Sequence, residues 1–166
     1  MALVVEDGTA KADAESLASV AAYKAHCDAR GITYGTDAEI EAQLRKGTDY
    51  LGQKYGQRLS GYRVSTTQAI DFPRYDMPRR DLGVSNAYYA SDAVPAGVVK
   101  ACIEAAIRAD SGDLSPDLTQ AIKREKVGPI ETEYQDYTNS RPSYPVIDAL
   151  MAPFLAGGAG PRMVRA

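Results

Sequence analysis

The sequence predicts a mainly α-helical fold, a small bundle of three to four helices followed by a β-hairpin and a short terminal helix. Apolar residues recur at helical spacing in several segments, and these segments begin with capping residues. Alternation with a period of two, which is typical of strands, occurs near the C-terminus. We therefore expect a helical core domain over residues 1–118, with an irregular middle segment over residues 56–94, and a second part over residues 119–166.

The first and third helices are predicted from residues typical of helix ends. Ser19 is a suitable N-cap and Gly31 is suitable just after the last turn, so the first helix is expected over residues 19–30. Pro95 is favoured at the first helical position, and the third helix is expected to begin there and to end at Ala109. Both helices carry apolar residues that predict packing in a common core.

The second helix, over residues 37–55, has the strongest signals. Thr36 and Glu39 form the pattern of a capping box, and apolar residues follow at helical spacing. Gly47 and Gly52 each cost such a helix about 1 kcal/mol relative to alanine. These glycines either allow another backbone to approach closely or are simply tolerated.

The C-terminal part is predicted to contain a hairpin over residues 121–137, a helix over residues 145–155 and a flexible tail. A lone two-stranded hairpin is marginally stable in water, so it should lie against another surface. The helix carries more apolar side chains than one small face requires. The candidate docking residues, toward another subunit or a partner, are Ile130, Thr132, Tyr134, Tyr144, Val146, Ile147, Leu150, Met151, Phe154 and Leu155.

The composition indicates a soluble globular protein and argues against several classes of function. Two cysteines exclude a disulfide scaffold and a four-cysteine zinc module, and a single histidine leaves little room for a metal site. The glycine motifs that bind phosphate groups are absent. We expect no catalytic, cofactor-binding or metal-binding residues, no enzymatic activity, no signal peptide and no membrane span.

The histidine and the cysteines are expected to be structural. His26 and Cys27 are neighbours on one helix and point in different directions, which argues against a catalytic pair. Cys27 is expected in the core and His26 on the helix surface. Cys27 and Cys102 are expected to be two buried thiols.

The charge is distributed in bands, and one band combines arginine with tyrosine. Residues 41–80 contain eight Lys or Arg and four Asp or Glu, a net charge of +4, between two segments of –4 each. Such a segment is typical either of a single-strand binder with stacking rings or of a protein interface, and the acidic flanks favour the interface. The candidate residues for either role are Arg58, Arg63, Arg74, Arg79, Arg80, Tyr62 and Tyr75, with Tyr55 nearby.

Six short motifs, in order along residues 3–155, carry a resemblance to a known family. They are Leu3-Val4-Val5-Glu6-Asp7-Gly8-Thr9, Thr48-Asp49-Tyr50-Leu51, Thr66-Thr67-Gln68-Ala69 with Phe72-Pro73-Arg74, Val94-Pro95, Lys123 through Glu131, and Tyr144 through Leu150. The set resembles tailed-bacteriophage proteins labelled "DnaT-like single-stranded DNA-binding", whose members look like head–tail adaptor, connector or head-completion proteins.

The resemblance implies a structural virion protein. Its subunits would form a dodecameric ring that joins the portal to the neck and extends the DNA channel, with the hairpin and the terminal helix as docking arms. The implied partners are further copies of the chain, the portal protein, a neck, stopper or tail-terminator protein and, non-specifically, packaged DNA, with no cofactor and no membrane. The implied location is the phage neck, after assembly in the host cytoplasm. The alternative is a DnaT-like protein that binds single-stranded DNA.

Overall fold

The computed structural model describes residues 2–82, 86–117, 124–127, 130–133 and 142–156, and they form the predicted mainly α-helical fold. The elements are α1 (Val20–Asp28), α2 (Asp37–Tyr55), β1 (Tyr62–Arg63), β2 (Arg74–Tyr75), α3 (Ala96–Asp110), β3 (Arg124–Val127), β4 (Ile130–Glu133) and α4 (Pro145–Met151), with 3₁₀ turns over Gly56–Arg58, Arg80–Leu82 and Ala152–Phe154. None of the helices in these ranges is long and apolar enough to cross a membrane.

The predicted N-caps of α1 and α2 are confirmed. The Ser19 side chain accepts a hydrogen bond from Ala22 N at 3.1 Å. At its other end α1 stops at Asp28, earlier than predicted, with Ala29 as the C-cap and Gly31, at a φ of +63°, two residues further on. At the start of α2, Thr36 Oγ1 accepts from Glu39 N at 3.4 Å, and Glu39 Oε2 accepts from Thr36 N at 2.7 Å. Both helices therefore begin where local hydrogen bonding can satisfy their free N–H groups.

Helices α2 and α3 pack closely at the centre of the fold, and Gly47 makes this possible. A Cβ atom at Gly47 would lie 2.8 Å from Cys102 O and 3.0 Å from Ala106 N. Gly52, one and a half turns later, differs because a Cβ atom there would meet only Asp71 Oδ2, at 3.4 Å. Of the two explanations for these glycines, close backbone approach is therefore correct for Gly47, whereas Gly52 borders open space.

Helix α3 begins one residue later than predicted. Pro95 is the N-cap, with a φ of –59° and a ψ of 138°, and its carbonyl accepts hydrogen bonds from Val98 N at 2.9 Å and Val99 N at 3.2 Å. The extended ψ places Pro95 outside the helix, although its ring fixes a helical φ.

The prediction that His26 lies on the helix surface is wrong. His26 is only 8% exposed, and its Nε2 lies 3.1 Å from Glu104 Oε1 on α3. Glu104 is in turn held by Arg108, whose Nη1 donates to Glu104 Oε2 at 2.6 Å. The prediction considered only the face of α1 that carries Cys27, whereas α1 also contacts α3. Cys27 and Cys102 are free and buried, as predicted.

The terminal helix covers this chain's own core. Ile147, Met151, Phe154 and Leu155 are all buried. Phe154 lies against α3, where a Cβ atom at Gly97 would be 3.0 Å from its ring. The idea that one chain cannot cover these apolar side chains is therefore wrong for these four, because α4 and the 3₁₀ turn after it pack onto α3.

The other candidate docking residues are in varied positions. Val146 is exposed and Leu150 is half-buried, while the Tyr144 ring packs edge-on against Tyr50 with centroids 5.7 Å apart.

Strands β3 and β4 pair antiparallel, with Arg124 opposite Glu133. Ile130 and Thr132 lie on β4, whereas Tyr134, residues 128–129 of the predicted turn and the predicted tail over 157–166 lie outside the described residues. Docking by the hairpin stays a prediction.

Candidate nucleic-acid interface

The irregular middle segment contains a two-stranded ribbon, which we define as residues 61–77. Strands β1 and β2 pair antiparallel, with Tyr62 opposite Tyr75 and Arg63 opposite Arg74. Gly61 leads into β1 with a φ of +69°, and a Cβ atom there would overlap the carbonyl of Tyr75. Because only glycine tolerates both the positive φ and this close approach, Gly61 fixes how the ribbon folds back on itself.

A buried glutamine closes the loop between the two strands. Gln68 Oε1 accepts from Ser65 N at 2.9 Å, while its Nε2 donates to Ile70 O at 2.9 Å and Pro73 O at 3.2 Å. The side-chain amide thus replaces backbone pairing that this loop does not make. The sequence reasoning missed this role, since glutamine has no loop-specific pattern.

Tyr62 and Tyr75 form an exposed pair of rings, which we call the ring platform. Their centroids are 5.5 Å apart with an interplanar angle of 36°, and the residues are 64% and 44% exposed. Cross-strand pairing explains the contact, because residues directly opposite each other in an antiparallel pair project to the same face. Tyr55, the third tyrosine of the predicted segment, is instead buried, and its hydroxyl donates to Asp148 Oδ1 at 2.6 Å.

Arg74 is a structural residue of the ribbon. Its Nε donates to Ser60 O at 2.9 Å, its Nη2 to Gly61 O at 2.7 Å and its Nη1 to Asp71 O at 3.3 Å. Burial lowers the pKa of this guanidinium. With its donors directed at three backbone carbonyls, Arg74 holds the ribbon and does not project toward a ligand.

The remaining arginines lie nearer the solvent. Arg63 Nη2 donates to Asp71 Oδ1 at 2.8 Å, and Arg79 Nε donates to Asp81 Oδ1 at 3.1 Å. The side chain of Arg58 is exposed, while that of Arg80 lies outside the described residues. Of the predicted set, the structure therefore brings Tyr62, Tyr75 and Arg63 together on one ribbon, and Arg74 serves the interior.

A further pairing extends the surface past the ribbon. Pro78 pairs antiparallel with Tyr88, and Arg79 N donates to Ala87 O at 2.7 Å. Tyr88 is exposed, and the Arg79 guanidinium lies 5.4 Å from the ring centroid of Tyr89. The sequence reasoning missed both tyrosines, although two adjacent rings in an otherwise small and polar stretch were a visible signal.

A cleft of about 390 Å³ lies between α2 and the ribbon, and we call it the α2 cleft. Arg63 belongs to both the cleft and the ribbon. The polar and glycine positions that line the cleft are Thr48, Asp49, Gly52, Gln53, Gly56, Gln57, Arg63 and Asp71. The sequence reasoning named Thr48, Asp49, Gly52 and Arg63 in separate contexts and predicted no cleft, because the contact between α2 and the ribbon is a tertiary one.

The described part of the chain has no cluster of three or more His, Cys, Asp or Glu side chains suitable for a metal ion. The ribbon itself presents exposed aromatic rings and the guanidinium of Arg63.

These features define a small helical protein that presents two exposed, contacting tyrosine rings on an irregular ribbon that also carries arginine. Over residues 1–166 the chain matches the model of the family described as DnaT-like ssDNA binding protein, and it belongs to this family. No curated protein and no solved structure gives a significant match.

The family match corrects the main functional expectation. The sequence motifs were interpreted as those of a structural head–tail adaptor, with single-stranded DNA binding as the alternative. The match covers the whole chain, and its description is that of the alternative, so the adaptor interpretation is wrong. The adaptor interpretation came from the resemblance of the ordered motifs and from apolar C-terminal side chains that one chain was not expected to cover. The acidic flanks of the arginine–tyrosine segment only added to it. A portal partner, a ring and a virion location depended on that interpretation and stay untested predictions.

Proposed function

We propose that the chain binds single-stranded DNA on the ring platform and the arginines around it. The observation that carries the proposal is the exposure of two contacting tyrosine rings on a ribbon whose shape is held by other side chains. The description of the family supports the same function.

The ring platform suits unpaired bases. Stacking of a base on an aromatic side chain contributes about 1–3 kcal/mol and tolerates any base, because every base has a π-face. Arg74 and Gln68 fix the ribbon from its inner side, so the rings are positioned before a ligand arrives. A base within a duplex is already stacked on both faces, and the platform therefore favours a single strand over a duplex.

The local charge suits the DNA backbone. Residues 58–80 contain five arginines and two aspartates, a net charge of +3, although the whole chain is at –3. Arg63 and Arg79 are paired with aspartates near the surface, and such pairs contribute only about 0–1 kcal/mol. A phosphate can therefore compete for either guanidinium at little cost.

Stacking can be measured directly, because the chain has 11 tyrosines and no tryptophan. Titration with an oligonucleotide of about 16 nucleotides should quench tyrosine emission and raise the anisotropy of a labelled strand. The double variant Tyr62→Ala/Tyr75→Ala should weaken binding at least about fivefold, the equivalent of one lost base stack. Affinity should also fall as salt rises, with a log–log slope of about –0.7 for each phosphate contacted.

Tyr34→Ala is the matched control. Tyr34 is similarly exposed but lies between α1 and α2, where its hydroxyl donates to Asp28 Oδ1 at 3.0 Å. This variant should bind the oligonucleotide as the unaltered chain does. Absence of any binding at low salt would overturn the proposed function, and equal loss in the Tyr34 and platform variants would overturn the role of the platform.

A further inference from the structure

The chain pairs a second time just after β2, where residues 77–79 lie antiparallel to residues 87–89, and we call this the second pairing. Pro78 is directly opposite Tyr88, and backbone hydrogen bonds of 2.7 and 3.0 Å flank the pair. Side chains alternate between the two faces of an antiparallel pair, and residues opposite each other share a face. Pro78 and Tyr88 therefore project to one face, and the residues on either side of them project to the other.

The face opposite Tyr88 is packed against the turn that follows α4. Met77 is 1% exposed, and the centroids of the Tyr89 ring and the buried Phe154 ring are 5.2 Å apart. The Arg79 guanidinium lies 5.4 Å from the centroid of the same Tyr89 ring. Because these contacts hold the second pairing from its inner face, the face of Tyr88 is left to solvent, and Tyr88 is 53% exposed.

The chain between β2 and the second pairing keeps the two solvent faces on one side. Arg74 directs its donors at backbone carbonyls and Met77 is buried, so both side chains point inward. Tyr75 and Pro78 each follow one of these residues and point outward. Strict alternation would place residues 75 and 77 on one face. Asp76, with a φ of +54°, is the extra residue that shifts the alternation, as in a β-bulge.

Tyr88 is close enough to the ring platform for one strand of DNA to contact both. Tyr75 and Pro78 are three residues apart, which is at most about 11 Å of chain, and Tyr88 lies opposite Pro78. At about 3.4 Å for each stacked nucleotide, about three or four nucleotides cover that distance. Asp76 is exposed between them, and its carboxylate repels phosphate. The bases of a bound strand, rather than its phosphates, would therefore face this stretch.

We propose that Tyr88 is a second stacking site for unpaired bases, and that one DNA strand runs from the ring platform along residues 75–78 to Tyr88. The inference rests on the proposed function, because the strand is the one held at the ring platform. It gives the binding surface a path and a length, whereas the platform alone would hold only about two bases.

The test measures by fluorescence anisotropy the affinity for a labelled oligo(dT) of about 12 nucleotides. Tyr88→Ala should weaken binding at least about fivefold, the equivalent of one lost base stack, although the platform is unchanged. Tyr88→Phe keeps the ring and removes only the hydroxyl, so its affinity should stay within about twofold of that of the unaltered chain. Tyr34→Ala, which removes an exposed ring away from the ribbon, should again leave the affinity unchanged.

Two further measurements separate stacking at Tyr88 from a folding defect and from a second, independent strand. Tyr88 is exposed, so thermal unfolding of both Tyr88 variants should match that of the unaltered chain. Titration of the unaltered chain should saturate at no more than one oligonucleotide per chain, and saturation at two would overturn the single path. Unchanged affinity in Tyr88→Ala, or an equal loss in Tyr88→Phe, would overturn stacking at Tyr88 while leaving the ring platform intact. If the unaltered chain binds no oligonucleotide, the proposed function fails and the inference fails with it.

Discussion

The helical scaffold (α1–α4) and the ribbon (residues 61–77) keep their shapes by different means. The scaffold buries apolar side chains along its helices, and side-chain caps close the starts of α1 and α2. The ribbon has two residue pairs of regular structure, and side-chain hydrogen bonds from Arg74 and Gln68 to backbone carbonyls hold it. Consequently the scaffold buries tyrosines such as Tyr23 and Tyr55, whereas the ribbon leaves its rings in solvent. A rigid ribbon with exposed rings suits ligand binding better than packing.

The largest expected effect comes from the residue that holds the ribbon. Arg74→Met should lower the free energy of unfolding by about 3 kcal/mol, because three backbone carbonyls lose a charged donor. Arg63→Met, on the opposite strand, should cost at most about 1 kcal/mol because its pair with Asp71 is partly exposed. Urea unfolding of both variants measures the difference. Equal losses in the two variants would contradict the distinction between Arg74, which holds the ribbon, and Arg63, which lies at its surface.

A second pair of variants compares the two glycines within α2, Gly47 and Gly52. Gly47→Ala should destabilise the chain by about 1–2 kcal/mol, because the added methyl group would overlap the α3 backbone at Cys102. Gly52→Ala should instead stabilise it by up to about 1 kcal/mol, since alanine favours helix and nothing but Asp71 Oδ2 lies near the new atom. Denaturant midpoints of the two variants should move in opposite directions. A shift of the same sign in both would mean that the α2–α3 contact is less close than described.

The smallest expected effect concerns acid stability of the scaffold. Burial raises the pKa of Glu104, but hydrogen bonds from Arg108 and His26 outweigh it, so the pKa lies below the ordinary 4.5. The unfolded chain therefore takes up a proton at Glu104 more readily than the folded one. The resulting stability is present above about pH 4.5 and is lost as the pH falls through the lower folded value.

Glu104→Gln tests this dependence. The variant should be about 1 kcal/mol less stable at pH 7, and its stability should fall less steeply between about pH 5 and pH 3. Asp49→Asn, which removes an exposed carboxylate from α2, provides the control for the charge change. Thermal unfolding across this pH range makes the comparison. A slope in Glu104→Gln as steep as that of the unaltered chain would contradict a stabilising role for the Glu104 carboxylate.

Much of the scaffold was predictable from sequence because its signals are local. The cap at Ser19, the capping box of Thr36 and Glu39 and the bounds of α2 depend on residues within a few positions of one another. The Pro95 error of one residue has a local cause too, since proline suits both the last residue before a helix and the first within it. The burial of His26 and of the apolar residues of α4 was not predictable in this way. It depends on α3, which lies far away in the chain.

In the candidate site, too, some features follow from local sequence and others depend on contacts between distant parts of the chain. The amino-acid sequence alone shows that arginine and tyrosine are concentrated between residues 55 and 80, and that the chain belongs to a family described by single-stranded DNA binding. Folding in three dimensions is what makes Tyr62 and Tyr75 share a face, turns Arg74 inward and places Gly52 and Gly56 beside Asp71 at a cleft. The physical reason is that composition sets which interactions a segment can make. Cross-strand register and the contact with α2 select which side chains remain free to make them.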